Sequence, residues 1–438
     1  MPATRRTWRY GTVKIEVHHV TRVEGHGSIV VDLAKGEIKE CRFDVVEAPR
    51  FFEAMLRGRP HTELSHITSR ICGICSVGHG TASVQATEKA MGVEISEQAW
   101  LLRKLIMHGE IIDSHVLHTY YLAAPDQFGV DSVIPLVKTH REVVERALRI
   151  KKLSGDLCAM IAGRHIHPCA LVVGGFTHTP TAAELESMAA RLVDARADMD
   201  ATVDLFAGLK WPEFERETEY VSLRNDDEYA FIGDTIVTSD GFTYPVEEYQ
   251  SVTNEECKPT STAKFTHHNR ASYMVGAMAR LNINFDQLHP RAKDAAAKLG
   301  LEPMLTNPYL NTPSQVVEMV HCVEDAIRIT EELLARPVQL EGPADVDVKA
   351  GQGVCACEVP RGTLFHRYVY DEDGLCQEAD CVIPTNQNLG SINEDMQELV
   401  PQIKDKPQEE IRLLLEMLVR AYDPCISCST HFLTVEFV

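Results

Sequence analysis

Nothing along these 438 residues stays apolar long enough to cross a membrane: no run approaches the roughly 18 apolar positions a helical span needs. No apolar stretch follows Arg5-Arg6 either, so the chain reads as lacking a secretory signal of its own, although a partner's export signal could still carry it. Positive charge is scarce. Forty-three Lys and Arg stand against 64 Asp and Glu, a formal charge of −21. Such a surface repels polyanions, which argues against nucleic acid as a partner and for a soluble, cytoplasmic protein. Disulfide-scaffold density is absent too: the thirteen cysteines are an odd number, thinly spread. Cys41, Cys158, Cys169, Cys257 and Cys322 stand singly and read as small buried hydrophobes in a reducing environment. There is no internal repeat, low-complexity tract or flexible linker.

What is present is enough apolar residue, 44%, to bury a large core. The periodicities predict an α+β fold: a mainly helical body with a central long-helix bundle, and β-rich N-terminal and peripheral segments. One domain over 1–438 is expected, with a β-rich part at 1–60, a helical body at 61–210 and 260–340, a β-containing insertion at about 215–255 and a metal-binding part at 345–438. Val13, Ile15 and Val17 alternate, and Ile29-Val30-Val31 leads through a Lys35-Gly36 turn to a further strand at 43–45. Helices are predicted over 96–123 and 133–163. Thr181 with Glu184 forms a capping box ahead of a stripe of Leu185, Met188, Leu192 and Met199. Thr312-Pro313 opens another helix with Val316, Val320, Val323 and Ile327 on one face. A hairpin over 363–383 turns at Asp371-Glu372-Asp373-Gly374. The last helix runs from Pro407 to about Tyr422 and delivers Asp423-Pro424-Cys425 at its end.

Two Cys-x-x-Cys pairs stand near opposite ends: Cys72 and Cys75 in RICGIC, Cys425 and Cys428 in DPCISC. Together they offer four thiolates, a set that suits zinc, an iron–sulfur cluster or nickel. Structural zinc and iron–sulfur sites usually draw on ligands close in sequence, whereas almost the whole chain separates these pairs. If they meet, the fold is organised around one deep site. Cys355-Ala-Cys357 is a further pair, read as buried structural thiols. Taken alone, Glu24 reads as a strand-end partner of Arg22, and Asp126 and Asp423 as helix-end caps.

The flanking residues carry more. Arg70-Ile-Cys-Gly-Ile-Cys75 with His79, joined to Asp423-Pro-Cys-Ile-Ser-Cys428 with His431, resembles the paired motifs of [NiFe] hydrogenase large subunits. Thr21-Arg-Val-Glu-Gly-His26, Glu358-Val-Pro-Arg-Gly362, His115 and His118 with Asp126, and Pro384-Thr385 with Gln387-Asn388 extend the likeness over nearly the whole chain. It is closest to the shorter, cytoplasmic, bidirectional branch. The resemblance implies that fold and a catalytic subunit cleaving dihydrogen reversibly into protons and electrons.

It also implies a Ni-Fe centre with iron-bound CO and cyanide. Cys72 and Cys425 would bind nickel alone, while Cys75 and Cys428 bridge to iron. Heterolytic cleavage needs a nearby base, Cys425 or Arg361, with Glu24 taking the proton onward. Arg361 and Thr385, beside Pro384, would donate to cyanide, with Asp126 and Asp423 orienting Arg361 from behind. His79 would donate to a bridging thiolate. Glu53, His431 and a backbone carbonyl near Leu389 are the implied ligands of a second metal, Mg²⁺ or Fe²⁺. With no further cysteine groups spaced for an electron relay, an iron–sulfur small subunit is expected as partner, with further flavin or iron–sulfur acceptor subunits. A maturation protease is a possible partner as well, because a tail at 432–438 follows His431. A hydrogen-sensing regulatory subunit with the same site is the alternative. A quinone-module subunit of a respiratory complex would lack the four cysteines.

Overall fold

The structure is a computed structural model that describes residues 13–17, 19–34 and 37–430. The predicted Lys35-Gly36 turn and His431 lie outside the described residues. Three antiparallel strands open the chain, β1 (Val13–Val17), β2 (Gly27–Ala34) and β3 (Glu37–Val45). Long helices follow: α1 (Ser76–Met91), α2 (Glu97–Val116), α3 (Arg141–Ala162) and α4 (Ala182–Ala207). Ser96 caps α2 by accepting the Ala99 N–H, and Thr181 and Glu184 form the reciprocal capping box at α4. Beyond α2 the helix widens into a π-helical stretch, Leu117–Ala123.

The 215–255 stretch is woven into the body. Its strand β4 (Glu219–Leu223) is buried along its length and pairs with Tyr273–Met274 and Thr235–Thr238. Tyr273–Met274 and Lys264–Phe265 also interrupt the 260–340 region that was expected to be helical. Helix α5 (Asn311–Leu334) then packs against α2 and α4 as the centre of the bundle.

The C-terminal part contains a sheet in the order Ile232–Gly233, β5 (Gly351–Val359), β6 (Gly362–Tyr370), β7 (Cys376–Val382). β5 lies directly on α1. A Cβ at Gly353 would sit 2.0 Å from the Ala86 carbonyl, and one at Gly351 would sit 2.1 Å from that of Ala90. Only glycine permits that approach. Every α1 residue but Lys89 is buried, because α1 is enclosed by this sheet and its neighbouring helices. Helices α6 (Pro384–Ile403) and α7 (Gln408–Ala421) complete the chain. The two ends of the sequence meet through α6, whose Asn393 accepts the Phe43 N–H of β3 at 2.6 Å.

Candidate metal centre

Both cysteine pairs lie at starts of helices. Cys75 is the residue before α1, and Cys425 precedes the single turn Ile426–Ser429. The chain reaches Cys425 through Asp423, whose φ of 50° turns the backbone sharply after α7. The four sulfurs lie within 4.8 Å of one another, all buried. Cys72 Sγ is 3.3 Å from Cys425 Sγ, Cys75 Sγ is 3.4 Å from Cys428 Sγ, and Cys425 and Cys428 are 2.7 Å apart. Thiol contacts from Cys425, Cys428 and Cys75 hold Cys72 well below the usual thiol range. For Cys75 the bonds from Cys425 and Cys428 pull down, but Cys72 and burial outweigh them and push it up to about 11. Burial, with Cys72 and Cys75 adding, raises Cys425 and Cys428 well above the usual thiol range, although the Cys428 contact pulls Cys425 down. Four sulfurs this close and this dry ionise together only around a cation, and thiolate–metal bonds of about 2.3 Å fit that spacing. The quartet fits a soft metal centre.

One permanent cation already faces it. Arg361 stands at the tip of the two-residue turn between β5 and β6, where Val359 pairs with Gly362. Its Nε donates to the Asp423 carbonyl at 2.7 Å, Nη2 to Asp423 Oδ1 at 2.8 Å and Nη1 to Ser114 Oγ at 3.2 Å. Burial works against its charge, but Asp423, Cys425, Cys75 and Cys72 together hold it more firmly protonated than usual. Gln315 supports Asp423 from α5 at 3.2 Å. Asp126 does not orient Arg361. It accepts from Arg22 and, at 2.8 and 3.0 Å, from Arg420 near the end of α7. The reason is position: Asp126 follows the π-helical stretch, beside the N-terminal loop rather than beside the β5–β6 turn. His118 makes a related contact, with Nε2 2.7 Å from the Arg420 carbonyl, while His115 pairs with Glu318 at 2.7 Å.

Glu24 reaches the cluster. Its Oε2 accepts from Cys425 Sγ at 3.3 Å and from the Ser427 N–H at 2.9 Å, and its carbonyl accepts the Ile426 N–H at 3.0 Å. The Arg22–Glu24 pair suggested by proximity in sequence is not formed, since Arg22 turns to Leu122 and Asp126. Beyond Glu24 the Ser427 hydroxyl donates to Glu47 Oε1 at 3.1 Å, and Glu47 Oε2 accepts the His26 N–H at 3.2 Å. These contacts lead from the sulfurs toward the surface, where the His26 side chain is 66% exposed, with main-chain N–H groups joining Ser427 to Glu24 and His26 to Glu47. Glu47 and Ser427 carried no signal in the sequence beyond lying near Glu53 and between the cysteines.

Thr385, in the first turn of α6 after Pro384, accepts the Cys425 N–H at 2.9 Å, which leaves its own O–H as a donor. His79 lies one turn along α1 from Cys75, its N–H on the Cys75 carbonyl at 3.1 Å. Its Nδ1 is 3.2 Å from His366 Nε2, and His366 Nδ1 is 2.6 Å from the Tyr368 hydroxyl. His366 and Tyr368, on the β6 face toward α1, are partners that sequence spacing could not assign. His167 is another: at a φ of 56° it hydrogen-bonds Ser76 Oγ and the Ser69 carbonyl, bracing the first cysteine turn.

Of the second metal's expected ligands, the described residues include Glu53 and Leu389 but not His431. Glu53 Oε1 accepts the Cys381 N–H at 3.0 Å. Leu389 lies inside α6, where its carbonyl faces the N–H four residues on, and Cys381 is a main-chain neighbour of Glu53. Lys264 lies close by. Burial disfavours its charge, and Glu255, Glu53 and Asp380 more than restore it.

A family model for nickel-dependent hydrogenases matches residues 50–145 and 245–431, and a HoxL-like model matches residues 14–48. The chain is 36% identical over 423 residues to the alpha chain of sulfhydrogenase 1 from Pyrococcus furiosus, covering 95% of this chain and 97% of that one. It is 32% identical over 462 residues to a subunit of the F420-non-reducing hydrogenase of Methanothermobacter thermautotrophicus, covering 96% and 95%. Its fold is similar to that of a chain of an NAD+-reducing [NiFe]-hydrogenase, with a TM-score of 0.85, 26% identity and coverage of 97% and 100%. The chain therefore belongs to the nickel-dependent hydrogenase family, as a large, catalytic subunit of the [NiFe] type. The α+β architecture read from the periodicities is the fold of that family.

Proposed function

We propose that this subunit cleaves dihydrogen heterolytically, with Cys425 receiving the first proton and Glu24 passing it outward. The single observation that carries this reading is the Glu24 carboxylate on Cys425 Sγ at 3.3 Å, a hydrogen bond already aligned for transfer. Cys72, Cys75, Cys425 and Cys428 would hold a Ni-Fe centre carrying CO and cyanide, which would supply the acceptor for the electrons. Arg361, fixed by Asp423 and Ser114, keeps a positive charge and planar donors beside the sulfurs, and the Thr385 hydroxyl adds a donor for cyanide. His79 would tune one of the cluster thiolates by donating to it. Glu47 is the next carboxylate toward solvent, and water would carry the proton between the two carboxylates, since Ser427 and His26 present main-chain N–H groups to Glu24 and Glu47. Glu53 and His431, with a main-chain carbonyl near Leu389, would hold a second cation, Mg²⁺ or Fe²⁺.

Electrons leave to an iron–sulfur small subunit, then to partners bearing flavin or further clusters. Both relatives named above are single subunits of their hydrogenases, consistent with such an assembly. A cytoplasmic setting agrees with thirteen cysteines free of disulfides. Among the described residues, no helix is long and apolar enough to cross a membrane. A maturation protease acting after His431 completes the partners.

The test is Glu24→Gln in the assembled enzyme. Deuterium–proton exchange is expected to collapse while nickel content and the infrared bands of iron-bound CO and cyanide persist. Loss of nickel would make Glu24 structural, and wild-type enzyme without those bands would overturn the centre itself.

A further inference from the structure

Four thiolates from opposite ends of the chain can share a metal only if two separate turns are held at a fixed distance. One side chain joins them. Arg50 lies just before the short helix Phe52–Leu56. Its Nη1 donates to the Ile71 carbonyl at 2.8 Å and the Ser427 carbonyl at 3.2 Å, and its Nη2 donates to the Arg70 carbonyl at 2.8 Å. Its own N–H donates to the Thr430 carbonyl at 2.5 Å, and its guanidinium lies 4.8 Å from the centre of the Phe52 ring. Arg70 and Ile71 immediately precede Cys72, whereas Ser427 sits between Cys425 and Cys428. Among the described residues, no other side chain hydrogen-bonds the main chain of both cysteine turns.

We propose that Arg50 is a positioning residue for the metal centre, a guanidinium clasp that sets the distance between the Cys72–Cys75 turn and the Cys425–Cys428 turn. The chemistry explains the residue type. Guanidinium is planar with five fixed donors, so one group can satisfy three carbonyls in a rigid fan, whereas an ammonium offers the same charge without the fan. Arg50 touches neither sulfur nor substrate and acts through the main chain. Nothing in the sequence distinguished it from the other residues around Glu53.

The proposal rests on the reading that the four cysteines hold the Ni-Fe centre. Its test uses the assembled enzyme with Arg50→Lys and Arg50→Gln. At matched nickel content the infrared carbonyl band is expected to shift or split, and turnover to fall by about ten- to a hundredfold, because a catalytic group displaced by an ångström loses that much. A sharp, unshifted band with unchanged turnover overturns the clasp. So does a lowered melting temperature with an unshifted band, which would make Arg50 a stabilising residue only. If a variant does not retain nickel, amide hydrogen exchange at residues 425–430 decides: faster exchange there, with α2 unchanged, supports the clasp, and unchanged exchange overturns it. Absence of the carbonyl band from wild-type enzyme would instead overturn the Ni-Fe reading and leave the clasp to the exchange measurement.

Discussion

Cys355 and Cys357 illustrate how little a cysteine's presence says without its surroundings. Both project from β5 toward α1, 3.8 Å apart, with Cys355 also on Gln85 at 3.4 Å. Contact with Cys355, then burial, pushes the Cys357 thiol far up. The four site cysteines differ in having one another, with Arg361 facing them. Replacing both with alanine, Cys355→Ala with Cys357→Ala, is expected to leave nickel content and the infrared bands unchanged and to lower the melting temperature modestly through the cavity left behind. Metal analysis with calorimetry checks it, and loss of nickel would promote the pair to the site. Arg50 and Cys357 thus exchange apparent importance: the conspicuous residue is filler, and the unremarked one joins the two turns.

At the scale of elements, the site hangs on how α1 begins. Glu110 of α2 reaches across to accept the Val77 N–H at 2.6 Å and the Gly78 N–H at 3.0 Å, two of the donors that the first turn of any helix leaves unpaired. Burial raises this carboxyl to about 8 despite those bonds, with Cys72 and Asp113 adding repulsion. A folded-state value above the ordinary 4.5 means that the unfolded chain gives up this proton first as pH rises. The associated stability is complete below pH 4.5 and is lost progressively as pH climbs to about 8. Glu110→Gln should therefore flatten the decline in unfolding free energy over that window, by on the order of 4 to 5 kcal/mol at pH 8. Denaturant unfolding at a series of pH values measures it. An unchanged slope would mean that Glu110 ionises in the fold.

For the whole molecule, the cysteine quartet is the only group of three or more potential ligands assembled among the described residues. Its sulfurs are buried where the N-terminal loop at Glu24, α1, the β5–β6 turn and the Cys425 turn converge. Among those residues, no second cluster stands ready to carry electrons outward. The chain carrying its metal centre but stripped of partners should exchange deuterium with protons yet fail to reduce a viologen dye, and adding the iron–sulfur partner should restore reduction. Dye reduction by the isolated chain at the assembled rate would refute the need for that relay.

Some of this was settled by local chemistry alone. The strands at β1 and β2, the Thr181–Glu184 box and the turn at Asp371-Glu372-Asp373-Gly374 follow from short-range preferences, and each forms where predicted. The two cysteine pairs were likewise legible, because thiolates at that spacing with those neighbours point to a soft metal whatever the fold. β5 was not. It is buried on both faces, Val354 and Ala356 against the β4 sheet and Cys355 and Cys357 against α1, so it shows no alternation, and its glycines argue against a strand until α1 is seen to need them. Long-range pairings were equally invisible: Asp126 with Arg420, Glu53 with Cys381, and Arg50 with both cysteine turns. A hydrogen bond between residues hundreds of positions apart depends on where packing places their backbones. The sequence determined which groups could bind a metal and move a proton. Only the tertiary structure decided which of them share one site, because burial and distance, not residue type, determine which charges and donors meet.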